Sequence, residues 1–428
     1  MKNTPFWHEA APPEDPSGAE LPARCDAAII GSGFTGLSAA LTLAEAGRDV
    51  VVVESGPPGA GASTRNGGMI GWGHRVDLAS LSKRYGAENA RAILAEARMS
   101  LDFTTGLIER LGEDVRYRRT GRFLGASSQA KFEDLKRWAE TEAPQLGMEV
   151  EVVSQERQHE HIATGLYKGG LHFRQHGGLH PALFHRALLN AARAAGVTVV
   201  DHTKVETLTG DAAAGFTLRT DRGEMAARDV IWAGNGYTGI GTFRDFASRL
   251  IPVPSTIIAT EVLGANRVAS LIPSGNMIVE TLARHSYFRP DPWGERILWG
   301  GRASLNVLPE EESAKRLRRF MLSVFPDLEG AKLTHSWKGF VAFTFDGVPH
   351  IGRIGGVWHA CGYNGSGVAM APYLGHRLAE RVISGEEGRT GFDAAPFSSP
   401  AFYRGNPWFL RGVELWYKLK DWRDTHRV

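Results

Sequence analysis

Three features of the chain predict an α/β fold, α+β overall. An apolar run, a glycine turn, a helix and a second apolar run follow one another within about thirty residues near the start. A second glycine-rich turn opens a helix near the other end. Between them lie β-rich stretches, read as an antiparallel sheet interleaved with a Rossmann-like domain.

Taken in order, Ala27-Ala28-Ile29-Ile30 suits a buried parallel strand, because such strands are apolar on both faces. The turn Gly31-Ser32-Gly33-Phe34-Thr35-Gly36 follows. Leu37, Ala40, Leu41 and Ala44 then mark a helix that stops at Gly47, and the run Val50-Val51-Val52-Val53 ends on Glu54. Residues 78–142 show helical spacing with many charges and interrupt this unit. A helix and strand are expected over 183–200, closed by Gly196, with further strands at 216–219 and 229–232. Residues 251–302 read as the antiparallel sheet, with turns at Asp291-Pro292 and Gly300-Gly301, and 310–325 as a charged helix. The last strand, turn and helix run from Val357 through 362–367 to Ile383. The resulting division is a discontinuous nucleotide domain (24–77, 165–250 and 335–395), a second domain (78–164 and 251–334), and a tail helix packed on the body (396–428).

Composition narrows the function. With 49 Lys+Arg against 47 Asp+Glu, the chain lacks the basic excess of a nucleic-acid binder. Two cysteines, Cys25 and Cys361, give no disulfide framework and point to a reducing compartment. Residues 1–23 have no apolar signal core, and no run reaches the roughly 18 apolar residues of a membrane span. A soluble cytoplasmic protein, monomeric or homodimeric, is expected.

Gly31-x-Gly33-x-x-Gly36 has the context a dinucleotide fingerprint requires: a strand before it, a helix after it, and an acid ending the next strand. Gly31 permits the tight turn, Gly33 the approach of a pyrophosphate, and Gly36 close helix–sheet packing. The helix N-terminus offers N–H groups to phosphate, with Phe34 and Thr35 in its first turn. Glu54 suits ribose hydroxyls. The motif alone does not separate NAD from FAD.

Four further segments do. They are Gly61-Ala62-Ser63-Thr64-Arg65-Asn66-Gly67-Gly68, His202-Thr203-Lys204-Val205, Val230-Ile231-Trp232-Ala233-Gly234-Asn235-Gly236, and Gly347-Val348-Pro349-His350-Ile351-Gly352 followed by Cys361-Gly362-Tyr363-Asn364-Gly365-Ser366-Gly367. With them the chain resembles the D-amino-acid-oxidase superfamily of flavoenzymes, and within it the γ-glutamylputrescine oxidoreductase-like branch. The likeness runs from Phe6-Trp7 to the region of Trp408.

The resemblance implies a Rossmann-like FAD-binding domain of glutathione-reductase type and an interleaved substrate domain. In it Ser63 and Thr64 would donate to phosphate, Arg65 would add charge, and Asn66, Gly67 and Gly68 would pass the flavin ring. The Val205 backbone would meet adenine, and Ala233 and Gly234 would pack near the fingerprint. Gly362, Tyr363, Asn364, Gly365, Ser366, Gly367 and Val368 would aim a helix N-terminus at the pyrimidine edge of the flavin. An NAD enzyme has no need of this second helix start.

The resemblance further implies oxidation of an amine C–N bond to an imine by hydride transfer to flavin N5, then hydrolysis. Substrates in view are polyamines, γ-glutamylated polyamines and N-substituted amino acids. Pocket candidates are Trp72, His74, Tyr287, Arg302 and Asn364, with Arg302 placed to hold a carboxylate. Sarcosine-oxidising relatives attach FAD to a C-terminal cysteine, but Cys361 does not match that position, so noncovalent FAD is expected. Those relatives also activate oxygen with a lysine that residues 296–302 lack. A quinone or electron-transfer protein as acceptor is therefore an alternative to oxygen, and a non-catalytic FAD-bound assembly protein is a third reading. His172, His176 and His180 are not read as a metal site, because Gly177-Gly178 breaks any helix aligning them. The aromatic stretch 408–422 is read as a terminal helix on its own domain.

Overall fold

The structure, a computed structural model, describes residues 1–73, 76–239 and 241–426, with side chains as far as 423. Strand β1 (Arg24–Ile30), helix α1 (Phe34–Glu45) and strand β2 (Val50–Val53) form the opening unit, and the short β3 (Met69–Ile70) follows. Helices α2 (Leu78–Tyr85) and α3 (Ala87–Leu111) precede β4 (Arg122–Gly125), α4 (Gln129–Thr141), β5 (Glu151–Val153), β6 (Gly170–Phe173) and β7 (Gly177–Gly178). Helix α5 (Pro181–Ala194) and β8 (Thr198–Val200) lead into the meander β9 (Val205–Asp211), β10 (Gly215–Thr220) and β11 (Gly223–Trp232). Then come α6 (Arg244–Ala247), β12 (Ile251–Thr260), α7 (Ala265–Leu271), β13 (Met277–Glu280), β14 (Ser286–Pro290) and β15 (Ile297–Gly301). The order closes with α8 (Glu310–Val324), β16 (Leu333–Phe343), β17 (His350–Ile354), β18 (Val357–Cys361), α9 (Gly367–Ser384) and α10 (Leu410–His426).

Among the described residues these strands make two eight-stranded sheets and a two-stranded one, β3 with β7. The first runs β17-β18-β11-β1-β2-β8, with β10 and β9 beyond β11. Its β18-β11-β1-β2-β8 core is parallel. Ala27 and Ile29 face a core shared with α1 and α9, while Ala28 faces a second core under the meander. That two-sided burial is why β1 and β2 read as unbroken apolar runs.

The second sheet runs β16-β12-β15-β14-β13-β4-β6-β5, antiparallel except where β13 pairs with β4. Phe288 and Trp299 stack at 3.9 Å on its α8 side. Tyr287 and Gly300, paired across β14 and β15, belong to the opposite face.

Several expectations need correction. Gly300-Gly301 is no turn but the last two residues of β15. A Cβ at Gly300 would lie 2.2 Å from Tyr287 Cε2, so the glycine there admits a ring. The helical stretch 78–142 also contains β4, whose four residues are too few to show alternation. Strand β6 lies inside the span assigned to the nucleotide domain, and most of β16 does too, yet both are hydrogen-bonded into the second sheet. The predicted boundaries at 165 and 335 therefore do not follow the sheets. In the tail, the helix starts only at Leu410.

Candidate functional site

A cavity of about 680 Å³ opens where β1, β2 and β11 end and where α1 and α9 begin. Its wall is built from local necessity. Gly31 has φ +107°, a backbone state that side chains rarely adopt, and a Cβ there would stand 3.2 Å from Ala233 O. Gly33 caps α1, and a Cβ at Gly36 would meet Gly31 O at 2.0 Å, so the helix can pack on the turn only without a side chain.

Glu54 ends β2 in the wall, its Oε2 accepting from Ser32 N–H (2.9 Å) and Ser32 Oγ–H (2.8 Å). The wall also takes Phe34, Thr35, Val205, Ala233 and Gly234. At α9 it takes Tyr363, Asn364, Gly365, Gly367 and Val368, so two helix N-termini with their partial positive charge face one cavity. Asn364, with φ 53°, is held by its own side chain. Its Oδ1 accepts from Thr344 N–H at 3.0 Å and its Nδ2 donates to Gly362 O at 2.6 Å. Gly362 stands just behind, with φ +73°.

The loop 59–68 divides its side chains between cavity and support. Ser63 and Asn66 line the cavity, and Ser63 Oγ accepts from Phe34 N–H at 2.9 Å. Thr64 does not line it: its hydroxyl is buried and donates to Gly59 O at 2.7 Å. Arg65 also faces elsewhere, donating to Ala60 O (2.8 Å) and Lys338 O (3.2 Å) and so tying the loop to β16. Gly67 lies against the Tyr287 ring, and Gly68 O accepts from Arg289 at 2.7 Å. Ser366 donates to Gly73 O at 3.0 Å rather than joining the wall.

The substrate candidates separate. Tyr287 is half-buried, with its hydroxyl 3.0 Å from Ser255 Oγ, and loss of solvent around the phenol raises its pKa above the usual range. Arg302 follows β15 two residues past Gly300, beside Tyr287 in charge interaction. Its guanidinium lies 5.0 Å over the Phe343 ring and donates one long bond, 3.4 Å, to Ala283 O. No acid pairs with it among the described residues, and burial lowers its pKa. Trp72 does not join this group. It is buried in the α1–α3–α9 core, edge-on to His176 at 5.6 Å, because its backbone N–H is anchored to His176 Nε2. His74 lies outside the described residues. The three histidines weighed for a metal do separate jobs: His180 caps α5, His176 stacks on Phe173, and His172 stands 3.6 Å from Glu151.

The sequence reading missed part of the wall: Trp232 at the end of β11, Tyr237, Thr238 and Phe243 after it, and Phe340, Val341 and Ala342 on β16. The aromatic and β-branched run Phe340–Phe343 was the available strand signal. It also missed Arg289, whose bonds to Gly68 O and Leu179 O hold the glycine loop against the second sheet.

Comparison with known proteins agrees with this geometry. The family described as FAD dependent oxidoreductase matches residues 26–381. Gamma-glutamylputrescine oxidoreductase of Escherichia coli (strain K12) is 30% identical over 371 residues, covering 86% of this chain and 85% of that protein. A probable oxidoreductase OrdL of Rhizobium meliloti (strain 1021) is 30% identical over 425 residues, 97% of each chain. The solved glycine oxidase from Geobacillus kaustophilus superposes with a TM-score of 0.72 at 23% identity, over 89% of this chain and 99% of that one, a likeness of fold. With its fingerprint turn, its second helix start and this match, the chain belongs to the FAD-dependent oxidoreductases of the D-amino-acid-oxidase superfamily.

Proposed function

We propose that the protein oxidises the C–N bond of an amine or N-substituted amino acid, bound FAD taking the hydride from the carbon beside nitrogen as nitrogen loses a proton, and that water then hydrolyses the imine to a carbonyl compound and an amine. Two relatives carry amine-bearing substrates in their names, γ-glutamylputrescine and glycine. The residues present fit FAD. Glycines stand where any Cβ would intrude, and two helix N-termini meet in one cavity.

Gly31, Gly33, Thr35 and Ser63 would hold the pyrophosphate and Glu54 the ribose, with the Val205 main chain at adenine. Asn66, Tyr363, Asn364, Gly365, Gly367 and Val368, which line the cavity, would border the ring. Neither cysteine lines the cavity, and burial raises the thiols of both, Cys25 to about 12. Noncovalent FAD is the reading this supports.

The observation that carries the substrate class is Arg302, a buried guanidinium with one weak carbonyl contact and no acid. A planar, desolvated cation of this kind is matched by a carboxylate, which supplies two parallel bonds. Tyr287, on the same face, would limit the space above Gly67 and orient the substrate. The test is anaerobic titration with γ-glutamylputrescine, sarcosine, glycine and simple polyamines, following visible flavin absorption. Arg302→Ala should raise the apparent KM of carboxylated amines about ten- to hundred-fold and leave that of simple amines unchanged. An equal effect on both classes refutes the carboxylate role, and a flavin that no amine reduces refutes amine oxidation.

A second reading concerns the acceptor. Strands β12 to β15 carry no lysine, and Lys338 of β16 is engaged with Leu308 O (2.8 Å) and Glu310 (3.2 Å). This favours an acceptor other than oxygen. Slow recovery of absorption in air supports that reading, and prompt recovery removes it.

A further inference from the structure

Helix α10 is docked with Glu414 and Asp421 inward and Trp416 outward. Leu410, Val413 and Tyr417 pack into a core with Ile251, Val253 and Tyr403. Glu414 is buried beside them and accepts from Ser304 Oγ (2.7 Å), Leu305 N–H (3.2 Å) and Asn306 Nδ2 (3.0 Å). About two turns on, Asp421 is also buried, accepting from Ala283 N–H at 2.8 Å and pairing with Arg284 at 3.0 Å. The opposite face is left to solvent. Leu415 is 66% exposed, Trp416 58% and Leu419 54%, and Trp408, just before the helix, is 66%.

At 3.6 residues per turn Leu415, Trp416 and Leu419 fall on one side, within about 100° of arc. Such a contiguous apolar surface on a soluble body marks a contact with something else. The charges say what. From 400 to 423 both acids are buried, whereas Arg404, Arg411, Lys418, Lys420 and Arg423 are all exposed. Lys418 reaches Glu414 at 3.2 Å but remains 45% exposed, and Lys420 lies 5.5 Å from the Trp416 ring. A second copy of the chain would set five like charges against five, which a self-interface opposes.

We propose that the outer face of α10 is a peripheral docking surface for a lipid bilayer with anionic headgroups. Trp408, Trp416, Leu415 and Leu419 enter the headgroup–acyl boundary, where amphipathic indole rings partition. The five cations meet lipid phosphates, their long stems lying along the apolar stripe. The contact is peripheral, since no helix among the described residues is long and apolar enough to cross a membrane.

The experiment is co-sedimentation of the purified flavin-loaded full chain with phosphatidylcholine vesicles, with and without phosphatidylglycerol. Association at least about ten-fold stronger with phosphatidylglycerol, and lost in high salt, is expected. Trp416→Ser with Leu419→Ser should weaken it about ten-fold. So should Arg404→Glu with Lys420→Glu and Arg423→Glu, a second set that leaves the apolar residues and the Lys418–Glu414 pair in place. Both variants should keep the flavin absorption and melting temperature of the parent. No association at low salt overturns the proposal, as does association that neither variant changes. A concentration-dependent dimer dissolved by Trp416→Ser and Leu419→Ser also overturns it, by making the face a contact between copies.

Discussion

The Tyr363 hydroxyl lies 2.6 Å from Thr35 Oγ1 and donates to Ala360 O at 2.8 Å. With the phenol proton on the carbonyl, Thr35 is the donor in the first contact. One buried oxygen thereby joins the first turn of α1 to the turn before α9, the two helix starts that face the cavity. Tyr363→Phe strips Thr35 and Ala360 of that partner in a dry site. It should cost about 1–3 kcal/mol of stability and weaken FAD binding. Melting curves and reconstitution of the apoprotein with FAD measure both.

Glycine matters at Gly36 for space and at Gly106 for nothing. A Cβ at Gly36 falls 2.0 Å from a backbone oxygen, while one at Gly106, exposed in α3, meets nothing within 4 Å. Gly36→Ala should displace α1 from the fingerprint turn, lowering flavin content and stability. Gly106→Ala should stabilise the helix by about 0.5–1 kcal/mol. Chemical denaturation of the two variants, with flavin content beside it, separates the outcomes.

Acid should destabilise the protein through histidines held neutral by burial. His359 is pushed from 6.5 down to about 3, and neither ring nitrogen has a partner among the described residues. The unfolded chain binds a proton near pH 6.5 that the folded chain refuses until about 3. Stability is therefore fully present above that upper value and falls as pH drops through the window. At pH near 5 the loss from this one residue is on the order of 2 kcal/mol. His359→Phe keeps the stacking on Phe397 and strands no partner. It should reduce the stability difference between about pH 7.5 and about pH 5 by that amount in urea unfolding. An unchanged difference would show that His359 titrates normally.

Glu414 holds α10 to the loop 304–306 through three accepted hydrogen bonds. Glu414→Ala leaves two side-chain donors and an amide buried without an acceptor. Amide exchange over 410–423 should quicken at least about ten-fold, with exchange in β1 and β2 unchanged. Equal acceleration in both regions would mean that α10 belongs to the global folding unit.

The nucleotide-binding part was legible because its signals are local. The turn from Gly31 to Gly36, the apolar strands beside it and Glu54 lie within a few residues of one another, where sterics over one turn dictate the backbone. The same holds for the turn 362–367 ahead of α9. Less local features were missed or misread. Gly300-Gly301 looked like a turn until Tyr287, from the neighbouring strand, was seen to occupy the space a side chain would need. Ser63 and Thr64 are adjacent hydroxyls with the same chemistry, but the 3₁₀ turn at Ala62–Thr64 aims one at the cavity and the other at Gly59.

By itself the sequence determined the strand–turn–helix units, the need for glycine at the fingerprint, and the inventory of chemical groups. Tertiary structure decided which groups meet. It brought Phe340 of β16 to the wall begun by Gly31 and buried Arg302 beside Tyr287 with no acid. It also turned Glu414 and Asp421 of α10 inward, leaving Trp416 outside. The physical reason is range. Turn geometry depends on the adjoining residues, whereas a strand's register and a helix's docked face depend on partners contributed by other elements of the chain.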